Sequence, residues 1–500
     1  MHCAIKYLLL TALVSLPAFG SERIYKKSVY SLPLTFDPVK MNDTSSLLVS
    51  NLLFDGLVKF SPTLEIEGAL AKSWTVSNDG KKIVFKLREG IEFHDGRIIT
   101  AEDVAFSLKR NLSPESVTRK YFDCILGWSD DGFDDAKGGI RATANDTIEL
   151  NLRYPYPNFL NVLAGASAKV ISKYGFQRKK DYFERPVGTG PFKFLTIDES
   201  ARTIKLAPAR NYYRKSKRSL HELWLIEGDE AKAIKLASEG KIDDLANWPL
   251  SGGNKIFTTG KRISAPVNGT WIIGLNTRIP PFHQLAVRKK FKQDFDVDGF
   301  RKKFYPDSYP ANGYLPPGLP GHLKTFITKS STKKVDKKLI KIVIPRELEL
   351  GNGMKDFIEQ NLRKKGWNIE VVLMKWDDLM AGYNGKTHQS FLVAMNMDYP
   401  DPEFLFKNFE SENDDNFSGI RDTEIDLLNK ALRTETDRQR RRPLQQRMSE
   451  RIEELALTVN LFHPRANYWI SSCVRGFAPN IVSDVYIDYG VVDKVEGCKR

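Results

Sequence analysis

From residue 338 onward the chain alternates short apolar runs with amphipathic ones: KLIKIVIP (338–345), GMKDFIEQNLRKKG (353–366), NIEVVLM (368–374), DDLMAGYNG (377–385) and QSFLVAM (389–395). Apolar runs too short for helices, separated by helix-period segments, predict strand–helix units on a mainly parallel sheet. Parallel neighbours require crossover connections, so this alternation commits the region to an α/β layer architecture. The same alternation sets the position of the segment after its last strand. FLVAM (391–395) leads into Asp398, and Pro400 and Pro402 prevent regular structure beyond it. In open α/β sheets ligands bind outside the carboxyl ends of the strands. Asp398 is therefore expected as a fixed anion awaiting a cation from outside the chain, rather than as a loop carboxylate accepting a backbone N–H.

The earlier part of the chain is less regular. VYSLPLTFDPVK (29–40) reads as a strand broken by Pro33 and Pro38, and LLVSNLLFDGLVKF (47–60) as a helix turning into a strand. WTVSNDGKKIVFKLREG (74–90) predicts a hairpin turning at Asp79-Gly80, with Ile83, Phe85 and Leu87 on one face. TAEDVAFSLKRNL (100–112) has the capping pair Thr100 and Asp103 ahead of a helical stripe. VGTGPFKF (187–194) is a Gly-rich turn entering a strand. Residues 424–457 are helical, with Leu444, Met448, Ile452 and Leu455 inward and most of the Arg-rich run RQRRRPLQQR (438–447) outward. KSSTKKVDKK (329–338) reads as a solvated linker.

Five hundred residues call for two or three packed units, and 41% apolar residues is ordinary for a soluble globular chain. Lys6 and the apolar segment YLLLTALVSLPAF (7–19) form a secretory signal, too short for the roughly 20 residues of a bilayer span. Ala18 and Gly20 supply the small residues for cleavage before Ser21. Cys3 comes too early for a lipid-anchored cysteine, which favours a periplasm. Cys124, Cys473 and Cys498 then remain, and either Cys473 and Cys498 pair or all three are buried thiols. The net charge of +14 falls to +13 without Lys6. Export and the interleaving of basic residues with 62 acids argue against nucleic acid as a partner.

Catalytic and metal-binding patterns are missing. The seven His make no HExxH, there is no CxxC, and no G-x-S-x-G elbow occurs. No cofactor or metal is expected. His94 in EFHDG (92–96) reads as a turn or packing residue, and the pairs Asp243-Asp244 and Asp414-Asp415 as surface carboxylates.

Four blocks in order carry a resemblance: ALAKSWTVSNDGKKIVFKLREGIEFHDGRIITAEDVAFSLKR (69–110), RPVGTGPFKF (185–194), LNTRIPPFHQLAVRKKF (275–291) and MDYPDPEFL (397–405). The chain resembles the family 5 extracellular solute-binding proteins of ABC importers, the group that includes oligopeptide- and dipeptide-binding proteins. The resemblance implies a two-lobe periplasmic-binding-protein fold of class II, large peptide-binding type, that closes on its ligand by a hinge. Lobe I would comprise 21–50, 186–266 and 475–500, an extra subdomain 51–185, and lobe II 267–474, after a signal peptide over 1–20. The hinge is expected near 266–270 and 474–476.

By the same resemblance Asp398 would pair with a peptide α-ammonium, flanked by Asn396 and Tyr399. Met395 stands where several peptide binders carry Trp, which reduces the aromatic surface. Arg346, after the strand KIVIP, falls near the carboxylate-binding Arg of dipeptide-binding members, against a reading as a surface Arg. Trp271 in WIIGLN (271–276) would add aromatic contact to the ligand or belong to the core. The implied function is a monomeric periplasmic receptor, not an enzyme, that delivers peptides to a membrane ABC permease. The alternatives are the same fold holding an oligosaccharide, opine or nickel chelate, and a secreted hydrolase with a dispersed triad.

Overall fold

The computed structural model of the protein describes residues 23–62, 65–214, 220–245, 260–325, 338–346, 348, 350–397, 399–480, 484–495 and 498. The signal segment, most of the 329–338 linker and Asp398 lie outside the described residues. No helix among the described residues is long and apolar enough to cross a membrane.

Two large sheets organise the chain. A seven-stranded sheet runs in the order Phe192–Asp198, Thr203–Pro208, Glu222–Glu227, Ile24–Val29, Asp244–Leu245, Arg465–Ile470, Lys261–Pro266. A six-stranded sheet runs Tyr309–Pro310, Thr458–His463, Gly269–Leu275, Ser390–Asn396, Ile340–Pro345, Ile369–Met374. Each is covered by its own hydrophobic core. The expected alternation is present: strand Ile340–Pro345, helix Gly351–Lys364, strand Ile369–Met374, helix Trp376–Asn384, strand Ser390–Asn396. These three strands pair in parallel. The sheet as a whole is mixed, because Gly269–Leu275 and Thr458–His463 join it antiparallel. Both arrive at or leave the lobe through its crossing points and need no crossover helix.

The chain leaves the first sheet at Pro266 and enters the second at Gly269. It returns between His463 and Arg465, because Arg465–Ile470 pairs with Lys261–Pro266 in the first sheet. The second crossing is thus at Pro464, well before the expected 474–476, and the second lobe ends there. Pro464 has no N–H to contribute to either ladder, so it can stand between two sheets without leaving a donor unpaired. Gly476, with φ +74°, only turns the chain beyond the strand Val474–Arg475.

A third unit lies within the expected 51–185. A four-stranded antiparallel sheet (Ala71–Val76, Lys82–Leu87, Thr147–Asn151, Ile140–Ala144) packs with the helix Ala101–Asn111. The hairpin turns at Gly80, φ +67°, and Ile83, Phe85 and Leu87 are buried. Thr100 caps the helix, with Asp103 Oδ2 accepting from Thr100 N at 3.0 Å.

Three local expectations change. Residues 424–457 form two helices, Thr423–Thr434 and Arg438–Glu454, and Asp437 caps the second by accepting from Gln439 N and Arg440 N. Arg440, Arg441, Arg447 and Arg451 of that second helix form ion pairs. Arg447 and Arg451 bind Glu424, Asp422 and Glu454, while Arg441 turns inward to Asp401. Asp243 and Asp244 are buried, not superficial: the short strand Asp244–Leu245 is inserted into the middle of the first sheet. Asp244 accepts from Lys27 Nζ at 3.1 Å and Tyr25 Oη at 2.6 Å, and Asp243 from Lys26 N and Lys494 Nζ. Asp414 and Asp415 are exposed. Cys473 and Cys498 form a disulfide, and Cys124 is a buried thiol.

Phe85 is completely buried between the hairpin and the rest of the subdomain core. Phe85→Ala is expected to cost about 3–5 kcal/mol by chemical denaturation, expressed first in the subdomain. A loss below about 1 kcal/mol would show that this core can collapse around the gap.

Candidate ligand-binding cleft

A cavity of about 490 Å³ lies where the three units meet. The first lobe supplies Met41, Asn42 and Leu47, the subdomain Tyr121 and Asn161, the crossing segment Val267 and Asn268, and the second lobe Asn396, Met397 and Tyr399. Among the described residues that line it none is charged; the polar groups are carboxamides and hydroxyls.

The second-lobe loop is held at the cavity by contacts from several directions. Gly269 pairs with Asn396 at the end of the sheet, and a Cβ at Gly269 would collide with Asn396 Oδ1. Only glycine lets that side chain lie across the strand. Met397 donates its N–H to Asn268 O at 3.0 Å, so the crossing segment sets the height of the loop. Further along, Asp401 N donates to Tyr399 O at 2.9 Å, and Arg441 reaches Asp401 Oδ2 at 3.3 Å. Pro402 then starts the short helix Glu403–Phe406. Asp398 is outside the described residues, but its neighbours Met397 and Tyr399 both line the cavity.

The other expected site residues divide. Asn396 and Tyr399 line the cavity. Met395 does not; it is half-buried against the second-lobe core. Trp271 lies in an aromatic stack, 5.6 Å from Phe462 and 5.7 Å from Tyr305 between ring centres, and belongs to the core. Arg346 is exposed at the strand end, where its N–H donates to Met374 O at 2.8 Å, and it is not among the cavity's lining residues. His94 packs as expected: its ring nitrogens meet Gly190 O and Gly188 N, and burial holds its pKa below the ordinary value.

The lining contains residues that periodicity did not single out, among them Tyr121, Tyr468 and Asn268. Asn268 is the most informative. It is buried, and no described residue accepts from its Nδ2. The signal available in the sequence was an Asn-Gly pair between two apolar strands, which reads equally well as a turn.

Residues 65–417 match the family described as "Bacterial extracellular solute-binding proteins, family 5 Middle". The chain is 24% identical to the dipeptide-binding protein DppE of Bacillus subtilis (strain 168), over 95% of this chain and 92% of that one. Its fold is similar to that of HbpA2 from Haemophilus parasuis, with TM-score 0.83, 20% identity, and 94% of this chain covering 99% of that one. It is also similar to a dipeptide-binding protein from Pseudoalteromonas sp. SM9913 in complex with Met-Leu, with TM-score 0.74, 20% identity, and 94% and 100% coverage.

An unpaired buried donor costs about 1–3 kcal/mol. Replacing Asn268 with Leu, of similar volume and with no donor, is therefore expected to leave the ligand-free protein as stable or more stable by up to that amount in thermal unfolding. A clear destabilisation would mean that the carboxamide is already satisfied.

Proposed function

The chain belongs to the family 5 bacterial extracellular solute-binding proteins, and on that footing we propose that it is an exported receptor that captures peptides between its lobes and delivers them to a membrane ABC permease. The observation that carries this reading is the cavity lined by Met397 and Tyr399, the sequence neighbours of Asp398. A loop held by the crossing segment and by Arg441 brings the residues on either side of that carboxylate to a cavity whose described lining is neutral. A ligand ammonium at about 4 Å from Asp398, at an effective dielectric near 20, gains about 4 kcal/mol before desolvation. Met and Leu side chains, tyrosine rings and carboxamides suit the remainder of a peptide, whose main chain needs donors and acceptors while its side chains need tolerant surfaces.

DppE and the Pseudoalteromonas protein are both named as dipeptide-binding proteins, which favours a receptor over a hydrolase and peptides over sugars or metal chelates. Export to the periplasm with cleavage after Gly20, and action as a monomer, belong to the same proposal. N-terminal sequencing of periplasmic material should begin at Ser21; an uncleaved cytoplasmic protein would end it.

Asp398→Asn keeps the shape of the side chain and removes its charge. The ammonium is then buried unpaired, a loss of roughly 3–5 kcal/mol, or two to four orders of magnitude in affinity. Calorimetry with free and N-acetylated peptides on both proteins forms a double-mutant cycle. Acetylated peptides should bind wild type poorly and be indifferent to the substitution. Equal losses for both peptide forms would make Asp398 a structural turn residue.

A further inference from the structure

Among the described residues, covalent connection between the lobes runs only through the segments at 267–268 and 464, and the other contacts between them are non-covalent. One such contact is large and polar. Tyr399 belongs to the second lobe by sequence, yet its ring packs in the core of the subdomain, and its hydroxyl lies 3.2 Å from Tyr156 Oη. Asn158 of the subdomain donates from Nδ2 to Glu403 Oε2 at 2.6 Å, and both residues are buried. Phe404 meets the ring of Tyr121, and Lys407 lies over both rings. The segment that makes these contacts continues directly from the loop at the cavity, and Tyr121 and Tyr399 line the cavity themselves.

A buried carboxylate is poor permanent glue, because desolvation offsets most of what its partners return. It suits a contact that is made and broken, since the parted carboxylate is well hydrated. Resting on the receptor reading above, we propose that Asn158 and Glu403, with Tyr156 and Tyr399, form a latch between subdomain and second lobe that is made when a peptide is captured and released when it leaves. Asn158 and Glu403 are positioning residues in this scheme, setting how long the cleft stays shut without lining it.

Closure is then linked to protons. The groups facing Glu403 are Asp401 from its own loop, Arg441 at 3.6 Å from the helix Arg438–Glu454, Arg433 at 3.9 Å from the helix Thr423–Thr434, and Asn158 and Tyr156 from the subdomain. Burial first, and then the charge of Asp401, push the Glu403 carboxyl up to about 7, against the lowering effect of the two arginines. In the parted state it returns to the ordinary carboxylate range of about 4.3. A group whose pKa is higher in the latched state takes up a proton on closing. Peptide affinity is therefore greatest in acid, falls as pH rises toward about 7, and levels off above it.

The test uses the full mature chain and a pool of two- to five-residue peptides from a casein digest. The double substitution Asn158→Cys and Glu403→Cys, in a Cys124→Ser background, should cross-link several-fold faster with the pool than without it. Equal rates would make the contact a fixed interface and overturn the latch. Asn158→Ala should weaken binding roughly ten-fold, the loss expected for one buried hydrogen bond. The loss should appear as faster dissociation, with the ligand-free melting temperature unchanged. A lowered melting temperature with unchanged affinity would also overturn the proposal. Wild-type affinity should decline between about pH 5 and 7, and Glu403→Gln should flatten that decline; a decline that persists in Glu403→Gln removes the proton linkage. If the pool gives wild type no thermal shift at all, the peptide reading fails and the latch fails with it. A shift without faster cross-linking leaves the receptor standing and removes only the latch.

Discussion

Where the chain passes between the two large sheets it does so twice, side by side. Val267 donates its N–H to Pro464 O at 3.0 Å, and Pro266 stands opposite Arg465 at the end of the first sheet. The two passages are therefore one narrow, hydrogen-bonded ribbon. Everything that concerns binding is measured from it. Asn268 O takes the N–H of Met397 and so fixes the loop after the strand Ser390–Asn396. Val267, Asn268 and Ala466 form part of the cavity wall. A shift at the ribbon would move the walls and the loop together.

The loop beyond that strand is held differently from the cores around it. The cores are held by apolar burial, which is strong but tolerant of direction. The loop is held by a glycine that admits Asn396, by a backbone hydrogen bond, and by Arg441 on Asp401. These contacts are directional, which suits a segment whose position matters more than its stability. Arg441 itself is buried and also donates to main-chain carbonyls between the two C-terminal helices, so the loop is tied to the body of its own lobe.

Much of this was legible because local periodicity reports local structure. The hairpin at Gly80, the cap at Thr100 and the three parallel strands each rest on residues a few positions apart. What stayed hidden depended on partners far away in sequence. Asp244 looked superficial because its neighbours are polar, yet Lys27, 217 positions earlier, receives it in the middle of the sheet. Arg441 looked like one more arginine on a wet face, and Asp401 is 40 positions away. Gly476 marks a bend that the sequence displays, whereas the strand pairing that puts the return crossing at Pro464 is visible only in three dimensions. Trp271 was readable as ligand contact or as core, and only the packing of Phe462 and Tyr305 around it separates the two.

The strand order of the first sheet governs how the chain comes together. Arg465–Ile470 sits between Asp244–Leu245 and Lys261–Pro266, so among the described residues Lys261–Pro266 has no neighbour in that sheet until Arg465–Ile470 is present. Nearly two hundred residues of the second lobe intervene along the chain. During synthesis the second lobe can assemble first, while the first lobe waits with an open slot for a strand made near the end. Such long-range pairing is slow to form. A chain whose first-made lobe is the last to be completed closes that sheet only when nearly all of its length has been made.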